Sequence, residues 1–323
     1  YDQNLFAGGV SSSTYRGQNQ DDDRPMFARA NSGQYPSGSI VKPLVAAAAL
    51  EAGVITSQTT VLSTGGIRYG AWFFPDWKAG GHGRTDVRKA IAESVNTFFY
   101  MIGGGTETFS GLGIDRLSVW LKRFGLGATT GIELPGEASG LIPTPEWKER
   151  VKGEAWVIGD TYHAAIGQGD VLVTPLQMAV VTQAFANGGT VYAPHLLAAS
   201  VGPEGESLVE TKKIATDFLS AQTLDVVRQG MRQTVTAGSA PSLQSVPVPV
   251  AGKTGTAQGR ADRPTHAWFT GFAPYDRPEI VIAILIEEGG EGSTTAVPVA
   301  RDFLSWYFGP ERRGSSTDAL DGL

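Results

Sequence analysis

The run Val246 to Glu287, VPVPVAGKTGTAQGRADRPTHAWFTGFAPYDRPEIVIAILIE, decides the fold class. Its β-branched and aromatic residues fall into three short runs, Val246 to Gln258, Thr265 to Phe272 and Glu279 to Glu287, separated by Gly, Pro, Asp and Arg. These read as adjacent antiparallel strands. Outside them the period is helical. Val297 to Phe308 is a closing helix, and Ala221 to Val235 sets Leu224, Val227, Met231 and Val235 on one face. Thr174, Pro175 and Gln177 combine an N-cap, a first-turn proline and a reciprocal glutamine, opening a helix that stops at Gly188 and Gly189. The class implied is α+β: an antiparallel sheet near the C-terminus, helices from both ends, and a mostly helical middle.

Working back toward the N-terminus, Ile114, Leu117, Leu121 and Phe124 predict a helix ending at Gly125, and Leu134 to Pro145 reads as irregular. Val87, Ile91, Val95 and Phe98 predict one helix from about Thr85 to Met101. Gly65 to Gly83 reads as a long loop, unusually rich in aromatics with Trp72, Phe73, Phe74 and Trp77. Leu44 to Ala52 is an alanine-rich helix closed by Gly53, Gln18 to Pro25 a polar loop, and residues 5 to 15 an edge strand. Gly309 to Leu323 lacks an apolar face and reads as a mobile tail.

Composition excludes several function classes. With 32 acidic against 26 basic residues the formal charge is −6, and no basic stripe exists to follow a phosphate backbone, so no nucleic-acid partner is expected. The absence of cysteine removes disulfides, thiolate metal sites and a thiol nucleophile. No apolar stretch approaches the ~20 residues of a membrane span. The chain as given therefore reads as soluble, and because it begins at Tyr1 it reads as a fragment of a longer protein.

Three short patterns carry chemistry, in this order: Ser39-Ile40-Val41-Lys42, Ser94-Val95-Asn96 and Lys253-Thr254-Gly255. Each alone is a weak match; together and in order they form the set found in penicillin-binding proteins and class A β-lactamases, where the middle pattern carries Asp. Ser39 is expected to open the alanine-rich helix, with Lys42 three residues on and on the same face, an amine beside a hydroxyl. The positive end of that helix disfavours a second positive charge, which helps hold Lys42 able to accept a proton. Pro43 disturbs that first turn. Ser94 and Asn96 are two apart and cannot share a helical face, so both reach one substrate only if the chain turns there. Gly255 would let a substrate backbone lie along the strand, and Lys253 with the Thr254 and Thr256 hydroxyls could hold a carboxylate. Glu93 reads as a solvated charge, and Asp76 with His82 as polar loop residues.

The segments YPSGSIVKP, ESVNTFFY, GLGATTGIELPGEASGLIPTPEWK, HAAIGQGDVLVTPLQMAVVTQAFANGG and AGKTGTAQ resemble the transpeptidase domain of class B penicillin-binding proteins, most like the elongation type. The resemblance covers nearly all of residues 1 to 308. It implies a five-stranded antiparallel sheet flanked by helices, with an all-helical subdomain, about residues 55 to 190, between the Ser39 helix and the Lys253 strand. It implies a peptidoglycan D,D-transpeptidase outside the cytoplasmic membrane, its full-length form anchored by one membrane helix.

By the same resemblance Ser39 is the nucleophile and Lys42 its base. Ser94 relays a proton to the leaving amine, and Asn96 holds the acyl-donor peptide. Lys253, Thr254 and Thr256 bind the terminal carboxylate, while the Ser39 and Thr256 N–H groups form the oxyanion hole. Partners would be stem peptides ending in D-Ala-D-Ala, amine acceptors, β-lactam antibiotics, a membrane glycan polymerase and a cell-shape scaffold. No cofactor is implied. Some relatives hold zinc with two Asp, a His and a Cys; here Asp76 and His82 match two ligands but Val61 and Val95 replace the others, so no metal is expected. A septal-type transpeptidase, a serine β-lactamase and a non-enzymatic β-lactam receptor are the competing readings.

Overall fold

The structure, a computed structural model, describes residues 3–203 and 205–310, so the expected tail lies outside it apart from its first two residues. The edge strand expected at residues 5 to 15 is absent. A 3-10 turn, Gln3–Phe6, and helix α1 (Ser12–Gln20) occupy this region, because Ser11 accepts the Thr14 N–H and caps α1. That helix also takes the first residues of the expected polar loop. A second 3-10 turn, Gly38–Val41, runs directly into α2 (Lys42–Glu51). Pro43 lies in the first turn of α2, where no intrahelical N–H bond is lost, and Lys42 keeps helical dihedrals before it.

The expected aromatic loop is folded. Strand β1 (Val61–Ser63) is joined by β2 (Gly66–Tyr69) and β3 (Trp72–Pro75), which form a hairpin, and by β4 (Gly83–Thr85), which pairs with β1. The hairpin is anchored by Phe74, edge-on to Tyr162 at 4.8 Å, while Trp72, Phe73 and Trp77 stay exposed. The single helix expected from Thr85 to Met101 is two, α3 (Val87–Ala92) and α4 (Asn96–Gly104), broken at Glu93 to Val95.

Next come α5 (Gly113–Arg123), α6 (Pro145–Lys152), α7 (Ile158–Ala165) and α8 (Pro175–Ala186). In α8 Thr174 and Gln177 exchange the expected reciprocal cap bonds at 3.0 and 2.9 Å. Helices α6 and α7 were not anticipated, although Thr144 caps the first and Asp160 accepts the Val157 N–H at the second. The middle of the chain is thus mostly helical, with the β1–β4 and β2–β3 pairings inserted and a short strand, Leu172–Val173, that pairs with Tyr35–Pro36.

Helix α9 (Ala221–Thr236) leads to strands β5 (Ala251–Ala257), β6 (His266–Ala273) and β7 (Ile280–Ile286), and α10 (Ala296–Phe308) follows. Among the described residues these three strands form one antiparallel sheet in the order β5-β6-β7; the resemblance implied five strands. Strand β5 starts later than expected because Pro247 and Pro249 have no N–H for the ladder. Residues alternate across β6: Trp268 and Phe272 join the core built around α2, whereas Ala267, Phe269 and Ala273 join the core under α10. The sheet is therefore covered on both faces, and the starts of α2 and α4 meet beside the free edge of β5. Among the described residues no helix is long and apolar enough to cross a membrane.

Candidate active site

Ser39 is presented by a turn pressed against β5. Gly38 has φ +52°, donates its N–H to Gly167 O at 2.7 Å, and would place a Cβ 2.6 Å from Thr256 O. Only glycine allows both the dihedral and the approach. A Cβ on Gly255 would lie 2.9 Å from Ile40 Cγ2 and 3.0 Å from Trp268 Cβ. The missing side chain at Gly255 thus makes room for Ile40 and Trp268, while Gly255 itself lines the cleft. Upstream, Tyr35 donates to Glu287 at 2.6 Å and the Trp268 indole to Pro36 O at 3.1 Å, fixing the turn to the sheet.

Lys42 is fully buried and points across to the break between α3 and α4. Its Nζ donates to Asn96 Oδ1 at 2.6 Å, Ser94 O at 2.8 Å and Ser94 Oγ at 3.1 Å. Ser94, at φ +59°, makes the turn that an uninterrupted helix could not, and both motif side chains consequently face one amine. Burial holds Lys42 well below its usual pKa; the Lys253 charge adds to this and Asp76 opposes it. An amine so placed loses its proton readily. Its lone pair can then accept from the Ser94 hydroxyl, reversing the longest of the three bonds.

Lys253 is also fully buried, donates to Thr254 O at 2.9 Å, and is pushed down to about 7 by burial. The Thr254 and Thr256 hydroxyls line a cleft of about 530 Å³ together with Ser39, Ser94 and Asn96. Two residues with no sequence signal already engage those hydroxyls. Ser239 Oγ is 2.6 Å from Thr254 Oγ1, and Thr256 donates to Glu291 at 2.8 Å. Gln168 Nε2 donates to Thr256 O at 3.3 Å from the far wall. Glu93 and Glu291 line the cleft, whereas the two lysine amines lie buried and bonded to residues that line it.

Asp76 and His82 are buried loop residues held by hydrogen bonds, and Glu93 contacts His82 Nδ1 at 2.7 Å instead of standing free. His82 Nε2 has no hydrogen-bond partner and lies 3.7 Å from Asp76 Oδ1. A structural zinc takes four N, O or S ligands. Val61 and Val95, both buried, offer none, and both Asp76 oxygens already accept hydrogen bonds. The residues present do not fit that ion.

The profile of the penicillin binding protein transpeptidase domain matches residues 6–305. The chain is 38% identical over 339 residues to the peptidoglycan D,D-transpeptidase MrdA of Haemophilus influenzae, covering 95% of this chain and 49% of that protein. Among solved structures, Pseudomonas aeruginosa PBP2 in complex with WCK 5153 superposes with a TM-score of 0.84 at 34% identity, covering 96% of this chain and 67% of that one. PBP2 of Helicobacter pylori in complex with MreC gives 0.80 at 35% identity, covering 94% and 55%. The chain spans about half the length of the curated relatives it matches. A profile that runs almost end to end, with relatives above 30% identity over nearly the whole sequence, makes this chain a member of the penicillin-binding protein transpeptidase domain family.

Proposed function

We propose that this chain is the catalytic domain of a peptidoglycan D,D-transpeptidase of the elongation type. One observation carries the reading: a buried amine, three residues after Ser39, is hydrogen-bonded to both Ser94 and Asn96 in the cleft that Ser39 lines. Its relatives named MrdA support the subtype. The domain is taken as residues 1 to 308, with 55 to 190 its inserted, mostly helical part.

In this reading Ser39 Oγ attacks the carbonyl carbon of the penultimate D-Ala, and its proton passes to neutral Lys42. The oxyanion is held by the Ser39 and Thr256 N–H groups. The carbon–nitrogen bond breaks as Lys42 returns the proton through Ser94 to the departing D-Ala nitrogen. Asn96 orients the donor peptide, and Lys253, Thr254 and Thr256 hold its terminal carboxylate. An acceptor amine then attacks the ester and loses a proton to Lys42, and Ser39 leaves reprotonated. A β-lactam enters the same path but keeps its leaving nitrogen tethered. The site works outside the cytoplasmic membrane, with the whole protein anchored there. Its partners are a glycan polymerase, by family resemblance, and a cell-shape scaffold, supported by the relative solved with MreC.

A fluorescent penicillin followed by mass mapping tests this. Ser39 should carry a long-lived adduct, and Ser39→Ala should abolish labelling with the fold intact. Labelling elsewhere, or rapid hydrolysis of the drug, would refute it.

A further inference from the structure

Helix α4 begins at the catalytic turn without a cap of its own. Val95 stands at the N-cap position and has no side-chain acceptor, so the first N–H groups of the helix must be met from elsewhere. They are met by Asp76, twenty residues upstream. Its Oδ1 accepts the Asn96 N–H at 3.1 Å and the Trp77 N–H at 2.9 Å; its Oδ2 accepts the Thr97 N–H at 2.9 Å and the Thr97 hydroxyl at 2.7 Å. Ser63 adds a longer bond at 3.4 Å. A buried carboxylate with this many donors is held in one orientation and is stabilised further at the positive end of a helix.

The same segment grips the turn from its other side. The Trp77 indole donates to Glu93 O at 3.1 Å, and His82 Nδ1 lies 2.7 Å from the Glu93 carboxylate. Residues 76 to 82 therefore touch Glu93, Asn96 and Thr97, which bracket Ser94 in its left-handed conformation. A left-handed serine persists only where its surroundings impose it.

We propose that Asp76 is a positioning residue: by capping α4 from outside the helix it fixes the turn that presents Ser94 and Asn96 to Lys42. It works through hydrogen-bond acceptance, without a metal and without touching substrate. This rests on the transpeptidase reading of the site.

The test resolves acylation of the full chain by a fluorescent penicillin into non-covalent affinity and the chemical step k2. Asp76→Ala should lower k2 by about tenfold or more with affinity nearly unchanged, because the carboxylate-binding groups are untouched and a displaced catalytic turn costs rate. Asp76→Asn keeps one acceptor but turns its NH2 toward the remaining donors, and should recover part of k2. Amide hydrogen exchange of the 94–100 segment should quicken in Asp76→Ala and less so in Asp76→Asn, which remains informative if the alanine variant folds poorly. Unchanged k2 and exchange in Asp76→Ala would overturn the proposal. So would an asparagine variant as slow as alanine, or a loss of rate on chelation that zinc restores. Failure of the unmodified chain to be acylated at Ser39 would instead count against the transpeptidase reading.

Discussion

Lys42 Nζ lies 2.6 Å from Asn96 Oδ1, although the two residues belong to different helices. The neutral amide accepts from Lys42 without adding a charge. Asn96→Asp would put a carboxylate at that spot, and an opposite charge within hydrogen-bond distance raises an amine pKa by about one to three units. The acid limb of the acylation rate should move to higher pH by that amount, with the plateau rate less affected. A pH profile of k2 for the two proteins checks this; coincident limbs would remove Lys42 as the group that titrates.

In the proposed mechanism acylation needs Lys42 neutral and Lys253 charged, and both pKa values are displaced downward. Burial holds Lys42 low, and the chemical step should therefore rise with pH through its depressed pKa. Lys253, pushed down to about 7, loses its proton as pH climbs past that value, and affinity for the carboxylate should weaken there. Measuring affinity and k2 separately over roughly pH 5 to 9 should show opposite trends. Affinity that stays flat would exclude Lys253 as the carboxylate's partner.

The same shift bears on stability. The folded-state pKa of Lys253, about 7, lies below its unfolded value of 10.5, so the unfolded chain binds the extra proton between them. Stability from this group is reduced in full below about 7 and recovers as pH rises toward 10.5. Lys253→Met should raise the melting temperature at neutral pH, by about 1–4 kcal/mol of stability for a buried charge replaced by an apolar chain. The gain should shrink in alkaline buffer. Thermal melts at both pH values test this, and a variant less stable at pH 7 would contradict it.

Gly38→Ala should be disabling. The new Cβ would meet Thr256 O at 2.6 Å from a residue at φ +52°, so the turn carrying Ser39 must move. Overpacking of this kind costs about 1–3 kcal/mol, and the loss of acylation should exceed what the melting temperature suggests. Normal labelling would show that the turn tolerates displacement.

Glu291 accepts the hydroxyl of Thr256 at the rim where the proposed mechanism seats the incoming carboxylate. Glu291→Gln removes a like charge, and affinity for anionic β-lactams should rise by about two- to tenfold at low salt, the difference shrinking as salt screens it. Stopped-flow competition at two ionic strengths checks the sign. A weaker variant would mean that Glu291 instead holds Thr256 in place.

The two motif serines, the two motif lysines and most helices were readable because their signals are local: caps, apolar spacing and short ordered patterns. The capping pair Thr174 and Gln177 formed as expected for that reason. Apolar spacing misled between Thr85 and Met101, where Val95 and Phe98 continue the helical period through a break that Ser94 makes with a positive φ. Both core helices there keep their buried face, so periodicity cannot register the kink. The aromatic run after Gly65 failed differently. Its hairpin is held by Phe74 on Tyr162, a partner nearly ninety residues away that no local window contains.

Local chemistry along the chain was enough to establish the α+β class, the antiparallel C-terminal strands and the three ordered motifs, because capping, alternation and motif order depend on near neighbours. The contacts of Asp76 with α4, of Ser239 and Glu291 with the threonines of β5, and of Gly255 with Ile40 came from folding alone. Each joins segments distant in the chain, and such meetings are set by how whole elements pack, which short-range spacing does not encode.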